Sequence, residues 1–273
     1  MATIKKDKET GITYRHWATA GEPKAILLLV HGIGAHSARW SFLSDFFLQN
    51  NISSYAIELR GFGETKDPKG HVDSFKIYFR DLRRLRDIIM EENRGRKVFL
   101  LGESLGAIIS FLTVIQEPDL FDGLICISPA FMSRLKASPL EYIKIFLSLA
   151  YNPKKQFKIP FDSGMCTRDA GYREILDNDP REHRLATARF VFEILKAQTQ
   201  SAILKKKIRT PALFLLSGED KLADPEAAKR IFDGININDK KLIEYPDMYH
   251  ALSIDLGRER VFKDILEWVK KRI

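Results

Sequence analysis

Apolar residues come along this chain in two alternating textures. Short runs, Ala25 to Val30, Ile52 to Leu59, Lys97 to Leu101, Gly123 to Ser128, Ala212 to Ser217 and Lys241 to Tyr245, have the composition and length of strands. Between most of them lie helix-length amphipathic segments. In Ser74 to Asn93, Phe75, Tyr78, Leu82, Leu85 and Ile89 recur at three- and four-residue spacing, while Arg83, Arg84, Arg86 and Asp87 fill the other faces. One stripe therefore faces a core and the charges face water. Alternating strand and helix predict an α/β protein whose parallel sheet is covered on both faces, with any active site at the carboxyl ends of the strands.

The alternation breaks after Ala130. From there to about Ser201 the chain carries helical patterns and no convincing strand, punctuated by Pro129, Pro139, Pro153, Pro160 and Pro180. The expectation is a core formed by residues 1–129 and 201–273, with residues 130–200 inserted as a helical segment. Val98 to Ile115 holds a single charge and approaches membrane-span length. Its β-type residues stop at Gly102, however, and a helical run follows, so it reads as strand, turn and helix inside a core.

Composition narrows the class. With 273 residues, 45% hydrophobic and 29% charged, and only 16 Gly and 11 Pro, fibrous and disordered readings fall away. Cys126 and Cys166 are too few for a disulfide framework or a four-ligand zinc site, and are expected to be free thiols. The start, Met1 to Gly11, is polar with no apolar leader, which points to the cytoplasm. Net charge is +8, and Ala130 to Lys207 holds 15 Lys and Arg against 8 Asp and Glu. This basic segment is either solvated surface, Lys205 to Lys207 included, or a means of meeting an anionic membrane or acidic substrate. Nucleic acid is not expected.

Candidate chemistry centres on Gly102-Glu103-Ser104-Leu105-Gly106, which fits G-x-S-x-G where a strand turns into a helix. A serine there sits in strained backbone with its hydroxyl above the sheet edge, and small neighbours let the chain pass closely. Serine needs a base that is itself oriented by a third group. His250 follows the Lys241 to Tyr245 strand and is the only histidine after His183. Asp220 ends the preceding strand unit. Asp224, directly before Pro225, better fits a helix N-cap, which favours Asp220 as the orienting acid. His31-Gly32-Ile33-Gly34 follows the first core strand and brings the amide of Ile33 to the same edge, where with the amide of Leu105 it forms a candidate oxyanion hole. The same loop, Gly32-x-Gly34-x-x-Ser37 with Glu58 ending the next strand, partly fits a dinucleotide fingerprint but lacks its third glycine. Neither a phosphate-loop nor an H-E-x-x-H pattern occurs, and no metal or cofactor is expected.

These motifs, in this order, resemble the α/β-hydrolase superfamily, and within it the monoacylglycerol lipase and lysophospholipase branch of serine aminopeptidase-type hydrolases. The resemblance rests on His31 to Ser37, Leu59-Arg60-Gly61-Phe62-Gly63, Gly70-His71-Val72 with Tyr78 and Asp81-Leu82, Gly102 to Gly106, Ser217 to Asp220 and Tyr249-His250, and spans most of the chain outside the insertion. It implies an α/β-hydrolase fold with a mostly parallel, doubly wound sheet and an inserted helical cap over an acyl pocket. It also implies Ser104, Asp220 and His250 as a triad and Ile33 and Leu105 as oxyanion amides. Two departures bear on local hydrogen bonding: Glu58 stands where the branch more often has Asp, and Thr65 where Ser is common.

The expected activity is hydrolysis of a small lipid-like ester, a monoacylglycerol or lysophospholipid, through an acyl-enzyme. An acyl thioesterase or acyltransferase would share the same residues, and a non-catalytic binding protein would share the fold. Pro139 to Tyr151 is apolar almost all round, with Glu141, Lys144 and Ser148 as a narrow polar stripe. It reads either as a lid offering Ile143, Phe146 and Leu147 to an acyl chain or bilayer, or as a helix buried between cap and core.

Overall fold

A computed structural model describes residues 2–135 and 138–273; Lys136, which contributes to the charge count of the insertion, and Ala137 lie outside the described residues, as does Met1. The first half comprises β1 (Thr3–Lys6), β2 (Thr13–Trp17), β3 (Ala25–Val30), α1 (Ser41–Leu48), β4 (Ile52–Ile57), α2 (Lys76–Glu92), β5 (Val98–Glu103), α3 (Leu105–Gln116) and β6 (Gly123–Ile127). The chain then leaves the sheet through α4 (Pro139–Tyr151), β7 (Gln156–Lys158), α5 (Ser163–Cys166), α6 (Ala170–Asn178), β8 (Leu185–Thr187) and α7 (Ala188–Leu204). It returns with β9 (Ala212–Ser217), α8 (Pro225–Asp233), β10 (Lys240–Tyr245) and α9 (Arg258–Lys270).

The main sheet has eight strands in the order β1-β2-β4-β3-β5-β6-β9-β10. All pairings from β4 to β10 are parallel, and the β1 and β2 pairings are antiparallel. The core strands are buried along their length because both faces are covered, and the period of two divides their residues between the faces. Ile26, Leu28 and Val30 pack with Tyr78, Leu82, Ile108 and Phe111, whereas Ala25, Leu27 and Leu29 pack with Trp40, Phe47, Phe99 and Trp268. This is the doubly wound α/β-hydrolase architecture that the alternation predicts. The run Val98 to Ile115 divides into β5 and α3, and no helix among the described residues is long and apolar enough to cross a membrane.

Two expectations need correction. The amino-terminal pair β1 and β2 was absent from the predicted strands: β1 is mostly exposed and β2 alternates half-buried with buried residues, so neither shows the continuous apolar run of a central strand. Nor is the insertion free of strand, since β7 and β8 pair antiparallel over three residues each, too short to leave a periodic signal. Beyond β8, α7 runs through position 200 to Leu204.

Candidate active site

Ser104 joins β5 to α3 with φ 59° and ψ −117°, a conformation that costs a non-glycine residue of order 1–3 kcal/mol. Close packing on all sides holds it there. A Cβ on Gly106 would overlap the Val30 carbonyl, one on Gly102 would overlap the Gly106 backbone, and one on Gly32 would stand 3.2 Å from the Ser104 Cβ. Glycine at these positions is what allows the elbow, the first turn of α3 and the loop after β3 to meet.

The structure brings His250 and Asp220 to this serine. His250 Nε2 lies 2.8 Å from Ser104 Oγ, and Nδ1 lies 2.7 Å from Asp220 Oδ2 and 2.9 Å from Oδ1. An ionised carboxylate only accepts, so Nδ1 carries the proton and Nε2 is left to accept from the serine hydroxyl. Asp220 Oδ1 also accepts from the amides of Leu222 and Ala223, both at 2.8 Å, which anchors the acid. Asp224 caps α8 by accepting from the Glu226 amide at 3.1 Å, with Pro225 opening the helix. Burial disfavours a charged imidazole, but the charge and hydrogen bond of Asp220, with a further contribution from Glu103, outweigh it and raise the His250 pKa above its ordinary value. Activity that needs neutral His250 therefore falls as pH drops through that raised pKa.

The loop after β3 is shaped by its own histidine. His31 Nδ1–H donates to the Gly32 carbonyl at 2.8 Å, and Nε2 accepts from the Leu59 amide at 3.0 Å. Burial keeps this ring neutral by lowering its pKa to about 4. Because C=O and N–H of one trans peptide point in opposite directions, holding the Gly32 carbonyl on one side turns the Ile33 amide to the other. Among the described residues neither the Ile33 nor the Leu105 amide has a protein acceptor. Glu58 completes the loop by accepting from Ser37 N at 3.2 Å and Ser37 Oγ at 2.5 Å. Thr65 Oγ1 accepts from Gly61 N at 3.1 Å and donates to the Phe62 carbonyl at 2.9 Å. Both departures from the family pattern are thus accommodated within closed hydrogen bonds.

Residues 21–257 match the family described as serine aminopeptidase, S33. The chain belongs to this family. Human monoglyceride lipase is 28% identical to it over 270 residues, covering 94% of this chain and 86% of that protein. The Bacillus subtilis phospholipase YtpA is 27% identical over 250 residues, covering 89% and 94%. The crystal structure of the Paleococcus ferrophilus monoacylglycerol lipase superposes with a TM-score of 0.85 at 23% identity, covering 96% and 99%, which shows a shared fold. This serine aminopeptidase family member is a serine ester hydrolase.

Ser104 and His250 open onto a cleft of about 820 Å³, its mouth included. Ile108, Ile159, Phe161, Ile194 and Leu222 make its walls mainly apolar, so core and insertion both contribute. Ile33 and Leu105 line it beside the serine. Ile143, Phe146 and Leu147 are not brought there: they lie on the open side of α4, 54%, 48% and 60% exposed, and none lines the cleft. Of the two readings of Pro139 to Tyr151, the helix buried between cap and core is excluded, because only Ile145 and Ser148 are buried.

Sequence reasoning passed over two charged groups in the cleft, Arg39 and Glu103. Arg39 forms a two-point ion pair with Glu182 of the insertion, Nε to Oε1 at 2.7 Å and Nη2 to Oε2 at 2.5 Å. The Gly34 carbonyl accepts from the His183 amide at 2.9 Å, so the loop after β3 and the segment between β6 and β9 are tied together. For Glu103 a signal was available, as the one charge in an otherwise apolar stretch.

Proposed function

We propose that this protein hydrolyses lipid-like carboxylic esters, with a monoacylglycerol or lysophospholipid as substrate, through Ser104, His250 and Asp220. The observation that carries the reading is the continuous hydrogen-bonded chain from Ser104 through His250 to Asp220 at the floor of an apolar cleft. Oriented in this way, Ser104 Oγ attacks the ester carbonyl while its proton passes to His250 Nε2. Asp220 holds the imidazole tautomer and supports the imidazolium. The amides of Ile33 and Leu105 take up the negative charge on the carbonyl oxygen, each worth about 3 kcal/mol in comparable sites. His250 then protonates the departing alcohol, and water activated by the same base cleaves the acyl-enzyme to release the acid and restore Ser104.

The apolar walls favour an acyl chain, since each methylene buried adds about 0.8 kcal/mol. The names of the two curated relatives, a monoglyceride lipase and a phospholipase, point to the same substrate class. Residues 130–200 act on this reading as a cap whose Ile159, Phe161 and Ile194 complete the acyl site. A fluorophosphonate probe tests the nucleophile and a substrate panel tests the class. Mass spectrometry is expected to find the probe on Ser104, and monoacylglycerols or lysophospholipids should be cleaved faster than acyl thioesters. Labelling elsewhere, or preference for the thioesters, would overturn the proposal.

The same cap is proposed to meet an anionic membrane surface. Leu140, Ile143, Phe146, Leu147 and Tyr151 stand exposed along α4, and Lys144, Lys154, Lys155 and Lys158 are exposed nearby. Apolar side chains entering the acyl boundary and lysines meeting lipid phosphates reinforce one another. In vesicle sedimentation, Phe146→Glu with Leu147→Glu is expected to lower partitioning onto anionic vesicles by at least about tenfold, since each lost apolar side chain is worth about 1.5–3 kcal/mol when fully buried. Hydrolysis of a short water-soluble ester should stay near its original rate. Unchanged partitioning would rule out α4 as the contact.

A further inference from the structure

Glu103, the last residue of β5, precedes Ser104 directly and is buried. Both of its carboxylate oxygens are engaged by one residue far along the chain: Ser253 N donates to Oε1 at 3.1 Å and Ser253 Oγ donates to Oε2 at 2.9 Å. Ser253 lies three positions after His250 in a tight turn, in which Leu252 N donates to the His250 carbonyl at 3.1 Å and Ile254 N to the Ala251 carbonyl at 3.0 Å. The elbow that presents the nucleophile and the turn that presents the base are therefore tied by two bonds that bypass the Ser104 to His250 contact.

Those bonds alone do not call for a charge. A glutamine would satisfy the Ser253 amide with its oxygen, and the hydroxyl would rotate to accept from its nitrogen. Burial raises the pKa of this carboxyl group, while the Ser253 amide and the charge of His250 oppose the rise; an amide would avoid that cost, so a carboxylate here needs a further partner. Arg39, already committed to Glu182, and the imidazole of His250 line the same cleft as Glu103.

The geometry points to Glu103 as a second acidic support for His250: from the elbow it fixes the turn that carries the ring, and its negative charge favours the imidazolium formed when Ser104 gives up its proton. This rests on the proposed triad. Glu103 touches no reacting atom in this scheme and is a positioning residue. Asp220 is bonded to His250, and Glu103 and Arg39 share the cleft lining with it. Asp255, on the same turn, is taken up by Arg168 and by the amides of Arg168 and Tyr249, and Lys221 lies over the Tyr249 ring with Nζ bonded to its hydroxyl.

The test is the pH profile of kcat/KM on a water-soluble ester for the wild-type protein and for E103Q, E103D, S253A and S104A. E103Q is expected to move the acid limb down by about half to one pH unit and to lower the plateau about three- to tenfold in kcat, with KM little changed, since one pH unit and one decade of rate are the same free energy. S253A keeps the charge and should leave the limb in place. E103D keeps the charge on a shorter arm and should hold the limb close to the wild-type position even where its plateau falls. An E103Q limb superimposed on the wild type overturns the inference, as does a shared fall in thermal midpoint for E103Q and S253A with neither limb moved. Should E103Q not fold, E103D decides, because a limb displaced downward despite the retained carboxylate also overturns it. S104A separates this outcome from failure of the triad: if S104A still turns over, the triad is wrong, and if it is inactive while the limbs coincide, only the assignment of Glu103 falls.

Discussion

Replacing Ser104 with alanine is expected to lower kcat/KM for ester hydrolysis by about four to six orders of magnitude, leaving only what binding and the oxyanion amides provide. The hydroxyl is the sole group in the hydrogen-bonded chain that can become the acyl carrier, and His250 without it has no proton to accept from the protein. Stability should change little. Alanine at φ 59° is as strained as serine, and the side chain loses one hydrogen bond at the edge of a cleft. Ser104→Gly separates strain from chemistry: it should be equally inactive yet more stable than Ser104→Ala by about 1 kcal/mol, because glycine adopts this backbone without penalty. Steady-state kinetics and thermal melts on both variants read this directly. Retained turnover in Ser104→Ala would remove the proposed nucleophile, and equal melting points would show that the elbow is not held under strain.

The second large effect is expected for Asp220→Asn, a loss of about three to four orders of magnitude near neutral pH with the fold preserved. The argument turns on which end of the amide faces which partner. Oδ1 of Asp220 receives the Leu222 and Ala223 amides, and those two N–H groups will claim the asparagine oxygen. The asparagine nitrogen then faces His250 Nδ1, at the position where Asp220 Oδ2 lies 2.7 Å away. Two donors would meet at that shorter contact, and Nδ1–H would keep only the 2.9 Å contact to the oxygen that Leu222 and Ala223 already claim, so the tautomer with its proton on Nε2, which no longer accepts from Ser104, is favoured. Burial, no longer offset by a full carboxylate charge, also makes the ring harder to protonate. Kinetics should show the fall mainly in kcat, and NMR of the ring nitrogens should show the changed tautomer. A variant within tenfold of the wild-type rate would mean that Asp220 does not orient the base.

Much of this arrangement was legible because its determinants are local. Ser104 stands out through a strand, a tight turn and a helix that are contiguous in sequence, with small residues at 102 and 106 where the structure shows backbone passing too close for a Cβ. Asp224 could be set aside in favour of Asp220 because Pro225 marks a helix start, and Asp224 does cap α8. The core strands were readable as continuous apolar runs because a parallel sheet covered on both faces buries both sets of alternate residues. β1 escaped that reading because at the sheet margin its side chains are mostly exposed, and β2 because its buried Tyr14, His16 and Trp17 are interleaved with half-buried polar residues and form no apolar run.

What the sequence by itself determined, then, are the features set within one element or turn: the elbow, the apolar faces, the cap of α8 and the residue types needed for a triad. Tertiary structure decided everything that depends on what a face or a side chain meets. The separations of 146 positions from Ser104 to His250 and of 150 from Glu103 to Ser253 are spanned by crossovers whose order no periodicity encodes. The same holds for α4, where an all-round apolar pattern states that water is unfavourable but not what replaces it. Hydrophobicity has no direction, and only the folded chain shows that Ile143, Phe146 and Leu147 point outward while Ile159, Phe161 and Ile194 line the cleft at Ser104.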